Sequence, residues 1–269
     1  MADSNYHQKI NMKKNSKNLS SPSGYLYNMF LENSWTRYVD QKEREMVMEK
    51  WDMENFRDNK KRNILDLGCG SGRWSKLFVQ LKFRKVIGVD IDPEMVEFSK
   101  KSIDNKRFEG VVADIQNLPF KKNNFDRIFS FRSFKYTNDP IKSIKGINRV
   151  LKPDGTVLIE FSNYSIQIRI FLLISNLIKK IIPSIKTKKD WYLDNSKFYH
   201  KKDIVNLMNV DSMKIKKIYP LFSLPASPLP TARGTLTGFW IILDKIIFNL
   251  LPKSLFARSW ILIAEKEQN

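Results

Sequence analysis

Cysteine is almost missing from this 269-residue chain, and Cys69 is its one representative. A lone thiol excludes an intramolecular disulfide and a cysteine-built zinc cluster, and it suits a reducing cytoplasm. Histidine is nearly as scarce: His7 and His200 are the whole supply. No run reaches the ~18 uninterrupted apolar residues of a membrane-spanning helix. No cluster of carboxylates suggests a catalytic metal, so none is expected. Acids are outnumbered, with 28 Asp and Glu against 47 Lys and Arg and a formal net charge of +19. Such a surplus favours anionic surfaces: nucleic acid, acidic lipid or a phosphorylated substrate. Heavy use of Lys, Asn and Ile throughout accounts for part of it on composition alone.

What is present begins with a polar segment, residues 1–23, where Lys9, Lys13, Lys14 and Lys17 lie among Asn and Ser. It has no apolar core, so it is not a secretory signal, and no arginine, which argues against a transit peptide. It reads as a disordered basic tail. Residues 24–269 read as one domain with elaborations. Residues 24–60 look helical, with Tyr25, Met29, Trp35, Tyr38, Met46, Val47 and Trp51 as apolar anchors.

The chain is organised around Asn63–Trp74. A short apolar run reaches Asp66, and glycine then takes every second position at Gly68, Gly70 and Gly72, with Cys69 and Ser71 between. Trp74, Leu77, Phe78 and Leu81 follow at helical spacing. The pattern predicts strand, tight loop and helix start. Glycines there permit positive φ and close approach of a ligand to bare backbone, and the helix N-terminus presents free N–H groups. The spacing is not the G-x-G-x-x-G of dinucleotide folds, and the Gly-Lys-Ser/Thr ending of a P-loop is absent.

Lys85–Asp90 is a continuous apolar strand ending in an acid, and Pro93 opens a helix through Glu94–Ser102. In nucleoside-binding α/β folds an acid at this strand end receives the two ribose hydroxyls; otherwise Asp90 caps the next helix. Val111–Asp114 is a third strand ending in an acid, and Arg127–Phe131 a fourth strand. Pro140–Val150 is a helix, and Leu151–Thr156 turns into the strand Val157–Phe161. Strand and helix thus alternate through residues 61–162, the signature of a doubly wound parallel sheet with helices on both faces.

Together the glycine run, the acids at Asp90 and Asp114, the Leu118-Pro119-Phe120 turn, Phe125-Asp126 and Arg149-Val150-Leu151-Lys152-Pro153-Asp154-Gly155 resemble the class I S-adenosylmethionine-dependent methyltransferases. Within that class they are most like the small-molecule enzymes of methyltransferase type 11. The resemblance implies a mostly parallel seven-stranded Rossmann-like α/β sheet and S-adenosylmethionine as cofactor. It implies that Asp66, Gly68, Cys69, Gly70, Ser71 and Gly72 shape the methionine end of the site. Asp90 would then hold the ribose, Ile91 would pack on adenine, and Asp114 would accept from the adenine amine with Ile115 beside it. Ser130 and Phe131 would line the floor. Lys214–Tyr219 and Trp260–Ala264 resemble the antiparallel pair that completes the sheet, with a helix from His200 to Met208.

Two helical insertions, 163–199 and 222–258, interrupt this ending. In the first, Ile166, Ile170, Phe171, Leu173, Ile174, Leu177, Ile178 and Ile181 form an apolar face, with Arg169, Asn176, Lys179 and Lys180 opposite. Residues 239–251 are apolar around most of a helix. These read as a substrate lid, or through 166–182 and 239–251 as a peripheral membrane contact, since basic amphipathic helices take that form.

A sulfonium already activates its methyl group, so a base is required only for a hydroxyl or a protonated amine acceptor. His200 and Tyr136 are the candidates for that role or for lining the acceptor site. Asn/Asp-Pro-Pro-Tyr/Phe is absent after the fourth strand, where Ser130-Phe131-Arg132-Ser133 stands, so nucleic-acid amine methylation is not favoured. Cys69 lies inside the loop and does not suit cytosine C5 chemistry. The expectation is methyl transfer to a small or lipid-linked acceptor. The alternatives are an RNA or protein methyltransferase using the basic surface, and a non-catalytic binding protein of the same fold.

Overall fold

The computed structural model describes residues 34–52, 56–163, 165, 166, 169, 173, 197–209, 213–221, 242, 244, 246 and 257–267. The expected tail 1–23, the first part of the 24–60 helical segment and most of both insertions lie outside the described residues.

The chain opens with α1 (Ser34–Lys50) and α2 (Phe56–Asn59), followed by β1 (Asn63–Leu67), α3 (Arg73–Gln80), β2 (Lys85–Asp90), α4 (Pro93–Ile103) and β3 (Phe108–Val112). Then come β4 (Phe125–Ser130), α5 (Pro140–Val150), β5 (Leu151–Ser162), α6 (Lys201–Asn209), β6 (Met213–Leu221) and β7 (Ser259–Lys266). Short 3-10 turns sit at Ile115–Asn117 and Phe134–Tyr136. The strands form one seven-stranded sheet of order β3-β2-β1-β4-β5-β7-β6. Pairings from β3 through β5 are parallel, while β7 runs antiparallel to both of its neighbours.

Alternation along each strand divides the apolar side chains between two cores. Leu65, Leu67, Val157, Ile159, Phe161 and Leu262 pack on the side of α5 and α6. Ile64, Phe129, Leu158, Ile261 and Ile263 pack with Trp74 and Phe78 of α3 and with Val47 and Trp51 at the end of α1. Burial on both faces explains why the parallel strands read as continuous apolar runs.

Element ends differ from the sequence expectation in two places that matter. β3 ends at Val112, so Asp114 lies past the strand and caps the 3-10 turn instead. The Leu151–Gly155 turn is absorbed into β5 through the pairing of Leu151 with Phe125, with a register shift before Arg127.

The helix ends follow local chemistry. Asp92 and Asp139 each accept a backbone N–H at the head of their helix, and Pro stands at the first helical position of both.

Candidate active site

Ligands of open parallel sheets bind beyond the carboxyl ends of the strands, where the winding reverses. Here that point lies between β1 and β4, since β2 and β3 follow on one side and β5 on the other. The glycine loop sits there. Gly68, Gly70 and Gly72 have φ of 71°, 52° and 86°. The N–H groups of Gly68 and Cys69 donate to Val89 O at 2.7 and 2.9 Å, binding the loop to β2. The reasons for glycine differ along it. A Cβ on Gly68 would fall 2.2 Å from Ser133 Cβ, whereas one on Gly70 would meet nothing within 4 Å. Gly68 therefore lets the protein pack on itself, and Gly70 keeps the approach to the loop open.

Asp66 is buried below the loop and accepts from Ser75 Oγ at 2.7 Å. Burial pushes its carboxyl up to about 7, against the Ser75 hydrogen bond. Cys69 is buried too, and a Cβ on Gly88 would fall 2.9 Å from its Sγ. Burial raises its thiol well above the ordinary range, so the thiolate needed for nucleophilic attack is disfavoured. Ser71 is buried, with its carbonyl accepting from Ser102 Oγ at 3.4 Å.

Asp90 stands at the end of β2. Its Oδ2 accepts from Gly70 N–H at 2.7 Å and its Oδ1 from Asp92 N–H at 3.0 Å. Burial raises its pKa while these backbone donors lower it. Ile91, next along the chain, is 69% exposed. Asp114 accepts from the backbone and side-chain amides of Gln116, and Gln116 Oε1 accepts from Asp139 N–H at 2.7 Å. Gln116 thus ties the Asp114 turn to the head of α5, a link that sequence reading missed. Ile115 is partly buried against the α5-side core.

On the other side of the switch point, Ser130 Oγ lies 2.9 Å from Ser133 Oγ, which donates to Leu67 O at 2.7 Å. The Phe131 ring is buried, stacked on Phe129 at 5.7 Å and tilted against Trp74 at 5.2 Å. Tyr136 is an exposed ring in the turn after β4, with Lys135 Nζ 5.0 Å from its centroid. His200 is exposed at the head of α6, where its N–H donates to Asp203 Oδ2 and its carbonyl accepts from Asp203 and Ile204. These contacts start a helix.

Beside the loop stands a charge cluster that sequence reading did not find. Glu43 of α1 is fully buried. It accepts from Arg73 at 2.7 Å, from Arg132 at 2.5 Å and from Arg258 at 2.6 Å. Asp40, one turn earlier, pairs with Arg73 at 2.5 Å and with Arg44 at 2.8 Å. Burial pushes the Glu43 carboxyl up, but the guanidiniums of Arg132, Arg258 and Arg73 outweigh it and hold the group at about 2. Arg132 has φ 60°, a conformation that costs a non-glycine residue about 1–2 kcal/mol. Its N–H is held by Glu160 at 3.0 Å and its side chain by Glu43. The four partners come from α1, the head of α3, the end of β4 and the start of β7, so no local motif could announce them. Among the described residues no group of His, Cys, Asp and Glu is placed to hold a metal ion.

Residues 65–159 match a family model described as a methyltransferase domain. The matched stretch runs from β1 into β5 and carries the glycine loop and Asp90. The chain is 30% identical over 164 residues to an uncharacterized protein of Methanocaldococcus jannaschii, covering 61% of this chain and 58% of that one. It is 33% identical over 107 residues to a malonyl-[acyl-carrier protein] O-methyltransferase of Priestia megaterium, covering 39% and 38%. It is 37% identical over 107 residues to a ubiquinone/menaquinone biosynthesis C-methyltransferase of Francisella tularensis, covering 37% and 43%. The matched segment thus spans little more than half of the first relative and less than half of the other two. An S-adenosylmethionine-dependent methyltransferase structure from Methanosarcina mazei superposes with a TM-score of 0.54 at 18% identity, covering 77% of this chain and 93% of that one. At that identity the likeness speaks for the fold.

The glycine loop fits an adenosyl group on its own geometry. Gly70 leaves open space over bare backbone. Asp90 is only partly buried, and a carboxylate accepts about four hydrogen bonds, so its backbone partners at Gly70 and Asp92 leave it acceptor capacity for ribose hydroxyls. Ile91 offers an exposed apolar plate beside it.

Proposed function

We propose that this protein transfers a methyl group from S-adenosylmethionine to a small-molecule or lipid-linked acceptor in the cytoplasm. The observation that carries the reading is the Gly70–Asp90 junction: a glycine with open space where its side chain would be, hydrogen-bonded to an acid at the end of β2. S-adenosylmethionine supplies a methyl group already activated on sulfonium. The protein's part is to orient and to exclude water. In this reading Asp90 receives the ribose hydroxyls, Ile91 covers adenine, Asp114 and Ile115 bound the adenine end, and Asp66 with the Gly68–Gly72 backbone shapes the methionine end. Ser130 supports the floor through Ser133, and Phe131 does so by packing behind it. Tyr136, exposed after β4, faces the acceptor; His200 is the weaker candidate because its backbone is given to starting α6.

The acceptor is a molecule rather than a nucleic acid base in this reading. By their names, one relative above is a malonyl-[acyl-carrier protein] O-methyltransferase and another a C-methyltransferase of ubiquinone/menaquinone biosynthesis. The acceptor atom is therefore left open. Calorimetric titration of the full chain with S-adenosylmethionine tests the cofactor. Mass spectrometry of cell extracts fed isotopically labelled methionine, with and without the protein, tests the transfer. An absence of any newly labelled small molecule or lipid would reject it.

A surface contact with lipid is the finer form of the proposal. Leu173 is 63% exposed, and Arg169, four residues earlier in the same insertion, is exposed as well. Ile242 and Ile246, also four apart, are both exposed in the other insertion. Residues 166–182 and 239–251 would then rest at the headgroup level, with basic residues each contributing roughly 1 kcal/mol against anionic lipid. Among the described residues no helix is long and apolar enough to cross a membrane. Flotation with anionic vesicles at low and moderate salt decides the matter. Wild type should float and Lys179→Glu/Lys180→Glu should not; equal behaviour of the two rejects the contact.

A further inference from the structure

The charge cluster around Glu43 adjoins the glycine loop through covalent and packing contacts. Arg73 follows Gly72 directly and begins α3. Arg132 precedes Ser133, whose Oγ donates to Leu67 O and whose Cβ occupies the space a Gly68 side chain would need. The Arg73 charge already acts on the Asp66 carboxyl. Glu43 is fully buried and shared by three guanidiniums, so the field of the cluster is weakly screened by solvent. Among the described residues, Asp40, Arg44 and Glu160 add further charges to it.

The two ligands the methyltransferase crevice would exchange differ in charge. S-adenosylmethionine carries a sulfonium, an ammonium and a carboxylate, for a net charge of one positive unit. Its demethylated product, S-adenosylhomocysteine, has lost the sulfonium charge and is net neutral. Shape and hydrogen-bonding groups are otherwise shared. A local field therefore separates the two where a purely steric feature would not.

We propose that Glu43 sets the charge of the crevice's methionine end and so governs how the protein discriminates cationic cofactor from neutral product. Glu43 is a positioning and charge-setting residue; it touches the arginines rather than the ligand. The arginines beside the loop lower affinity for the cation relative to the product, and Glu43 limits that penalty. Its effect on the ratio of the two affinities is therefore larger than its effect on the neutral ligand. This rests on the S-adenosylmethionine reading given above.

The test is calorimetric titration of the full-length protein with each ligand separately, read as the ratio of the cofactor Kd to the product Kd. Glu43→Gln removes a negative charge and should raise the ratio, by roughly fivefold for a unit charge acting through a partly buried site. Arg258→Gln removes a positive charge and should lower it by a comparable factor. The double variant should return near the wild-type ratio. A role in folding alone moves both affinities together, so an unchanged ratio in Arg258→Gln overturns the proposal even where Glu43→Gln is too unstable to measure. Ratios shifting in the same direction in both single variants also overturn it. Wild-type protein that binds neither ligand removes the cofactor reading itself, and the proposal with it, and is told apart by appearing before any substitution is made.

Discussion

The two sides of the crevice are built on different principles. On the β2–β3 side, Gly70, Asp90, Ile91 and Asp114 come from one continuous stretch and are held by backbone hydrogen bonds that the local sequence prescribes. On the α1 side, Glu43, Arg73, Arg132 and Arg258 are distant in sequence and meet only when four elements have docked. The first side is a set of turns with acids at their ends. The second is a buried ionic assembly, in which each member is costly alone and stable only with the others. The difference teaches where binding geometry and tertiary stability are separately encoded.

The largest consequence of that difference should appear in stability. Glu43→Ala leaves three arginines facing one another around an uncompensated space. Removing one partner from a buried ionic set costs about 3–5 kcal/mol, so the urea midpoint should fall by a corresponding amount. A loss below about 1 kcal/mol would show that the arginines are rehydrated freely, and the contrast between the two sides would collapse.

Asp66, beneath the loop, gives a pH-dependent break of the same order. Its folded-state pKa of about 7 lies above the ordinary 3.8. Between those values the folded protein holds a proton that the unfolded chain releases. The contribution to stability is therefore full below about pH 4, declines as pH rises to about 7, and is lost above. Asp66→Asn cannot ionise and should lose this decline. Relative to wild type it should gain on the order of 3 kcal/mol between pH 4 and pH 8. Urea denaturation at both pH values measures it; parallel stability profiles for the two proteins would show that Asp66 is ionised at no such cost.

A smaller effect is expected at Asp90, and in binding more than in folding. In the proposed site, Asp90→Ala removes the acceptor for two ribose hydroxyls and should weaken S-adenosylmethionine binding by about 1–3 kcal/mol. Unchanged affinity by calorimetry would take Asp90 out of the site and leave it as the fastening of Gly70 and Asp92 alone.

The same contrast explains how much the sequence made legible. The glycine loop, the acid at the end of β2 and the order of elements were readable because each is a local device: positive φ needs glycine, and an apolar run buried on both faces needs a parallel sheet. Strand ends were less so. The apolar pattern carries β3 on to Asp114, yet pairing with β2 stops at Val112 and leaves Asp114 to cap a turn. Pro153 and Gly155 make a turn of Leu151–Gly155, yet pairing with β4 draws Leu151 into β5. Both boundaries are set by a neighbouring strand. Glu43 was invisible for the same reason in stronger form. In the run Gln41–Lys50 it is one acid among several on a helix, and only the docking of Arg73, Arg132 and Arg258 distinguishes it.

The smallest effect is expected at Ile91, and it sharpens the comparison most finely. A large apolar side chain 69% exposed beside Asp90 contributes little to the fold, so Ile91→Ala should leave stability within about 0.5 kcal/mol. Covering adenine would remove that surface from water only in the complex. Losing the outer carbons should then cost about 1 kcal/mol of binding, close to fivefold in affinity. Adenine is common to cofactor and product, so the loss should be equal for the two ligands. That is the opposite of the Glu43 substitution, which should separate them. Calorimetry with both ligands on both variants therefore assigns each side of the crevice its own signature. A change at Ile91 that differed between the ligands would mean that this side also senses the sulfonium charge.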